Sequence, residues 1–232
     1  MPDLKAIKTD LATAIRMLTA EGLMDFNGHL SYRLPGTDHV LINPRWTSRT
    51  VLRAEDIVTI DLDGQLIDGA QEPPSENWMH TCIYRARADV LSIAHLHPQV
   101  ATVFSIAERP LVPVFILGSI FPREGVPVYD DPDFIRSRAS GDAVARALGQ
   151  ARAIFLRGHG AVVVGEEIAS CFNACVCLEE NAKKQLDAAS LGAPRVFSDD
   201  ELNRVRAGLW KPEIIRKTWD YYVAKGRAAG VV

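Results

Sequence analysis

Two apolar runs that each lead into histidine constrain this chain more than any other feature. Val90-Leu91-Ser92-Ile93-Ala94 passes into His95-Leu96-His97, and Ala153-Ile154-Phe155-Leu156 passes through Arg157-Gly158 into His159. Short apolar runs of this kind read as buried strands. Residues i and i+2 of a strand share a face, so His95 and His97 converge on one point. His159, at the end of a neighbouring strand, supplies a third imidazole. Three such nitrogens make a facial triad that leaves coordination positions open for substrate. His-x-His alone has many accidental matches, and Gly158-His159-Gly160 taken alone is also an ordinary turn. The convergence of all three favours a divalent-metal site.

Composition narrows the remaining classes. The 232 residues carry a net charge of -3, and no run of Lys and Arg interleaves with aromatics, so nucleic acid is not an expected partner. No stretch has the length of a membrane span, and Met1-Pro2-Asp3-Leu4-Lys5 opens no signal-peptide core. A cytoplasmic protein without membrane contact is expected. Cys82, Cys171, Cys175 and Cys177 contain no Cys-x-x-Cys spacing and read as small buried apolar residues.

Leu4, Ile7, Leu11, Ile15 and Leu18 predict an opening amphipathic helix, stopped at Gly22. An alternating strand through Leu34, a short strand at Val40-Leu41-Ile42, a strand over Asp56 to Leu62 and a hairpin return over Gln65-Leu66-Ile67 follow, with Asp63-Gly64 as the turn. Ser75 reads as the N-cap of a helix reaching Arg87, on which Glu76 and His80 share a face. Helices are also predicted from Pro98 to about Ala107, from Asp133 to Leu148, from Glu167 to Ser190, from Ser198 with a capping box, and from Pro212. The expectation is one α/β domain over residues 1–232, three-layer α/β/α, with a mixed, largely antiparallel central sheet. Bland readings stand beside the functional ones: Glu76 as a helix-start charge, His80 as a helix-face residue, Asn27-Gly28 as a turn, and His39 as a loop residue without a role.

Pro73-x-Ser75-Glu76 with His80, then His95-x-His97, then His159-Gly160 together resemble the class II aldolase/adducin family. Gly28-x-Leu30-Ser31 and Asp56 to Gly64 fall in the matching order, so the resemblance covers nearly the whole chain. It implies a central sheet flanked by helices and a homotetramer with active sites between subunits. It implies one divalent metal ion per subunit on His95, His97 and His159. Glu76 matches the family's acid/base glutamate, which is also a metal ligand in some members. Zinc suits three imidazoles, and an added carboxylate admits manganese, iron or cobalt; manganese and zinc lead. Scaffold members of the family generally lack the metal histidines, which this chain keeps.

The chain departs from the sugar-phosphate aldolases where they bind phosphate. Their Gly-Asn-hydrophobic-Ser turn is Gly28-His29-Leu30-Ser31 here, their Thr-x-Ser-Gly loop is Asn43-Pro44-Arg45-Trp46-Thr47, and their Ser-Ser-Glu is Pro74-Ser75-Glu76. Phosphate sites rely on close backbone approach and small donors. Arg45 is suited to grip a carboxylate, and Trp46 either stacks on a planar ring or packs. Arg123, in Phe121-Pro122-Arg123-Glu124-Gly125, is a second carboxylate candidate; a solvated charge is the alternative for each arginine. With His29 and Ser75 these residues form the expected substrate set for a small, flat, anionic molecule. The pattern resembles the family's decarboxylase branch, which acts on hydroxylated aromatic or heteroaromatic dicarboxylates. The implied chemistry is a metal electron sink, with Glu76 or His80 protonating the ring carbon after carbon dioxide leaves. An aldolase or epimerase on a sugar phosphate or hydroxy-ketoacid is the alternative.

Overall fold

The computed structural model describes residues 3–107 and 109–232. Eight strands form one sheet: β1 (His29–Arg33), β2 (Val40–Ile42), β3 (Val58–Ile60), β4 (Leu66–Asp68), β5 (Ser92–Leu96), β6 (Val128–Tyr129), β7 (Ala153–Leu156) and β8 (Gly160–Gly165). Their spatial order is β4-β3-β2-β1-β5-β8-β7-β6. Every described pairing is antiparallel except β6 with β7. Parallel neighbours need a crossover, and α4 (Arg138–Leu148) supplies it between those two strands. The sheet is therefore mixed and largely antiparallel, as expected.

Helices cover both faces, and the period-two alternation of the strands assigns the layers. Ala94, Leu96, Ala161 and Val163 join a core with Leu11, Ile15 and Leu18 of α1 (Leu4–Ala20), Phe172 and Leu178 of α5 (Ile168–Leu191), and Trp219 of α7 (Pro212–Ala228). Ile93, Val162 and Val164 point the other way, onto Met79 and Ile83 of α2 (Trp78–Ala86) and Val144 and Leu148 of α4. Completely buried side chains such as Phe172 each contribute roughly 1.5–3 kcal/mol of apolar transfer free energy. The four cysteines are buried and unpaired; burial pushes the Cys82 and Cys177 thiols up to about 12, as inert packing residues require. Trp219 and Tyr222, near the C-terminus, stack edge-on against Phe172 and so pack on their own chain.

Several boundaries differ from the sequence expectation, each for a physical reason. Ser75 does not cap α2: residues 75–77 form a turn, Pro74 O accepts from the Asn77 amide at 3.2 Å, and the helix begins at Trp78. The α4 helix starts at Arg138, not Asp133, because Ser137 Oγ accepts from the Ser140 amide. The helix expected from Pro98 shrinks to α3 (Val103–Ile106), preceded by turns whose Val100 and Ala101 amides donate to the Glu179 carboxylate at 3.1 and 2.9 Å. The strand from Asp56 shortens to Val58–Ile60 because a 3-10 turn spans Ala54–Asp56. In β1, His29, Leu30 and Ser31 are all buried, so its alternation is between two covered faces and not between core and water. The helix α6 (Asp199–Leu209) carries the expected capping box, with Ser198 and Glu201 bonded reciprocally.

Candidate metal centre

Five of the six histidines meet on the α2 side of the sheet, at the end of β5. His95 shares the face of Ile93 by the strand period, and His97 follows one residue beyond the strand end. His159 closes the β7–β8 turn over residues 157–159, in which Gly158 has φ +65°. Gly160 brings that turn against β5: a Cβ there would lie 2.5 Å from Leu96 O and 2.6 Å from His97 Cδ2. Glycine is what lets the third histidine reach the first two.

Hydrogen bonds to the far side of two rings settle their tautomers. His95 Nδ1 lies 3.1 Å from Ala161 O, and a carbonyl oxygen only accepts, so Nδ1 carries the proton. His97 Nδ1 lies 2.8 Å from the Asp25 carboxylate and donates likewise. Burial pushes the Asp25 carboxyl up, but the His97 ring and the Asn27 amide outweigh it and the net shift is down, so Asp25 is an ionised acceptor. Both Nε2 atoms are left as bare lone pairs facing one another at 3.1 Å. Two lone pairs at that separation repel unless a cation lies between them. His159 adds a buried Nδ1 without a hydrogen-bond partner. The three residues place one ligand atom each within 4.8 Å of one another. A divalent ion would relieve the repulsion between the two facing lone pairs and has a third imidazole within reach, so the donor set fits a metal.

Electrostatics point the same way. Burial holds His29, His95 and His159 below the ordinary imidazole range, and it brings His80 to about 3. These four rings are neutral at pH 7, the state in which imidazole binds a metal. Glu76 is buried; its Oε1 accepts from the Ile135 amide at 2.9 Å, and its Oε2 lies 3.9 Å from His159 Nε2. With His159 neutral this is a carboxylate beside an imidazole, not an ion pair. His29, Glu76 and His95 also bring one ligand atom each within 4.8 Å of one another.

The remaining expected residues divide. His80 is completely buried, and both ring nitrogens are engaged, Nε2 with His29 at 2.6 Å and Nδ1 with Ser31 Oγ at 2.6 Å. Ser75 is half-buried in the turn before α2. Arg45 is exposed and lies over the ring of Trp46, which is 70% exposed. Arg123 donates to Phe197 O at 3.3 Å and lies 3.9 Å from Asp199. Among the described residues, no hydrogen bond or ion pair joins Arg45, Trp46 or Arg123 to the histidines.

Four residues near the site went unread. Asp25 orients His97. Tyr84 closes the chain from Ser31 with a 2.7 Å contact. Arg49 is buried and donates to Gly28 O at 2.8 Å and to Thr47 O at 2.7 Å, tying the loop at 45–49 to the turn before His29. Phe134 stands edge-on to His159, with ring centroids 5.6 Å apart. Only Arg49 had a sequence signal: it is an arginine two residues beyond the Asn43–Thr47 loop already singled out.

Residues 9–186 match the class II aldolase and adducin N-terminal domain family. A 3,4-dihydroxyphthalate decarboxylase of Rhodococcus jostii (strain RHA1) is 29% identical over 236 residues, covering 92% of this chain and 97% of that protein. A 5-deoxy-D-ribulose 1-phosphate aldolase of Bacillus thuringiensis serovar kurstaki is 27% identical over 168 residues, covering 72% and 77%. The crystal structure of an aldolase II superfamily protein from Pseudomonas syringae superposes with a TM-score of 0.86 at 21% identity, covering 100% of this chain and 96% of that one, a likeness of fold.

Proposed function

Because the chain belongs to the class II aldolase and adducin family, we propose that it is a divalent-metal-dependent carbon–carbon lyase that decarboxylates a hydroxylated aromatic or heteroaromatic dicarboxylate. The observation that carries the metal dependence is the pair of bare Nε2 lone pairs on His95 and His97, 3.1 Å apart, with His159 beside them. The bound ion supplies a Lewis acid for the electron pair left when a carbon–carbon bond breaks. His95, His97 and His159 hold it, and manganese or zinc suits the set when Glu76 is counted.

The choice of decarboxylation over aldol cleavage draws on three supports. The likeness to the dihydroxyphthalate decarboxylase spans 92% of the chain. His29 replaces the asparagine of the aldolase phosphate turn, and it is buried beside Glu76 and His95. The 43–47 loop offers Arg45 where small donors serve a phosphate. In this reading Glu76, held by the Ile135 amide, takes the proton of the substrate's ring hydroxyl on binding and returns it to the ring carbon after carbon dioxide leaves. The proton donor is assigned to Glu76 and not His80, whose two nitrogens are already bonded inside the protein. Arg45, Trp46, Ser75 and Arg123 remain proposed substrate contacts, the outward-facing ones reached from a neighbouring subunit.

The same reading takes residues 1–232 as one catalytic unit, in a cytoplasmic homotetramer with active sites at the subunit interfaces. Exposed apolar side chains at Val103, Ile106, Leu186 and Val196, near a groove of about 380 Å³, are consistent with burial against further copies. Among the described residues, no helix is long and apolar enough to cross a membrane. Purified chain incubated with a hydroxylated aromatic dicarboxylate should release carbon dioxide, and EDTA should stop it. Retro-aldol cleavage of a ketose phosphate, with no carbon dioxide from such diacids, would establish the aldolase reading instead.

A further inference from the structure

Below the metal centre runs a continuous chain of buried polar contacts that a metal-binding role alone does not require. Tyr84 Oη meets Ser31 Oγ at 2.7 Å, Ser31 Oγ meets His80 Nδ1 at 2.6 Å, and His80 Nε2 meets His29 Nδ1 at 2.6 Å. Ser31 and His80 are completely buried, and Tyr84 and His29 are 1% and 2% exposed. One nitrogen of His29 lies within 4.8 Å of a ligand atom on each of Glu76 and His95. Its Nδ1 is taken by His80, so Nε2 is the nitrogen left to meet a ligand.

Each contact in such a chain has one proton, so the protons run either outward or inward along it. The inward order has His29 donating to His80, His80 to Ser31, Ser31 to Tyr84, and Tyr84 to Leu91 O. That last step spans 3.3 Å, to a carbonyl that already accepts the Arg33 amide at 2.8 Å. It also makes a phenol oxygen the acceptor, where an unprotonated imidazole nitrogen is the better one. The outward order uses only the three short contacts, with the phenol, the most acidic hydroxyl, as first donor and imidazole nitrogens as acceptors. We propose that Tyr84, Ser31 and His80 act as positioning residues that fix His29 as a neutral Nε2–H donor, directed at an anionic oxygen of the metal-held substrate.

The proposal rests on the metal-site reading and deepens it. A protonated Nε2 cannot ligate a metal, so His29 is a hydrogen-bond donor beside the ion and not a fourth imidazole ligand. A preorganised donor of this kind stabilises negative charge as it develops on the substrate oxygen. It also explains why the site carries a histidine backed by a second histidine, since a lone imidazole would leave its tautomer free.

Histidine labelled with ¹⁵N in the ring, incorporated into the full chain, reports each tautomer by solid-state NMR, with assignment through His29→Gln and His80→Gln. The expected result is protonated Nε2 and bare Nδ1 on both His29 and His80. A proton on Nδ1 of either ring overturns the proposal, whatever reaction the protein catalyses. Kinetics supply the second arm. His80→Gln keeps an amide donor near the place of Nε2 and should hold kcat within about tenfold of the parent. His80→Leu should lower kcat by roughly 100-fold, with KM and metal content close to the parent. Equal losses in the two variants would make His80 a chemical participant, and an unimpaired His80→Leu would remove the chain from catalysis; either result overturns the positioning role.

Discussion

Asp25 shows how much one carboxylate decides at the residue scale. Its bond to His97 Nδ1 is what turns the other nitrogen of that ring toward His95. Asp25→Asn keeps the shape but offers an amide that donates as readily as it accepts, which lets the ring bind in the wrong tautomer. Metal affinity should fall by about 10- to 100-fold, measured by competition with a chelator; an unchanged affinity would mean that the strand end alone orients His97. Nothing in the sequence flags Asp25, because it lies 72 positions from its partner and looks like any turn aspartate. The clustering of His95, His97 and His159 was legible, since an imidazole pair at i and i+2 carries its geometry with it. The two arginines of the 45–49 loop are the opposite case. Arg49 turns inward onto the Gly28 carbonyl while Arg45 stays outside on Trp46, a difference set by tertiary hydrogen bonds and not by local pattern.

Among elements, the β7–β8 turn and the start of α2 bear on the site most directly. The strand over Ala153 to Leu156 and the turn at Gly158-His159-Gly160 agree with the structure, in which β7 and β8 pair antiparallel around that turn. Its close approach to β5 depends on Gly160, so Gly160→Ala should push the turn off Leu96 and His97. The expected effects are a loss of about 1–3 kcal/mol in unfolding free energy and weakened metal binding, read by denaturant titration and metal analysis. Retention of both would show that the turn has room the close contacts deny. The helix starts were the less legible elements. Ser75, Pro98 and Asp133 each carry a plausible local start signal, yet the Pro74 carbonyl takes up the Asn77 amide in a turn, and Glu179 and Glu76 take up the amides of Val100, Ala101 and Ile135 from a distance. Long-range acceptors of this kind are invisible to capping rules, and one of them, Glu76 on the Ile135 amide, also holds the proposed proton donor in place.

For the whole molecule, the buried histidines make stability depend on pH. Burial lowers the pKa of His29, His80, His95 and His159 in the folded chain, with His80 brought to about 3 from 6.5. Below 6.5 the unfolded chain takes up protons that the folded one refuses, so stability is full above that pH and falls as the solution is acidified toward 3. The metal-free chain should therefore melt at a lower temperature at pH 5 than at pH 7.5; an equal or higher Tm at pH 5 would contradict the neutral-histidine assignment. The layer order was legible because strand alternation and helix stripes agree, whereas the strand order, with β5 between β1 and β8, is a property of the folded sheet. The account as a whole stands on His95, His97 and His159 holding a divalent ion. Elemental analysis of the gently purified full chain beside His97→Ala tests this most directly. About one ion per subunit in the parent and less than about one-tenth in the variant is the predicted result; a metal-free parent, or a variant that keeps its ion, would contradict it.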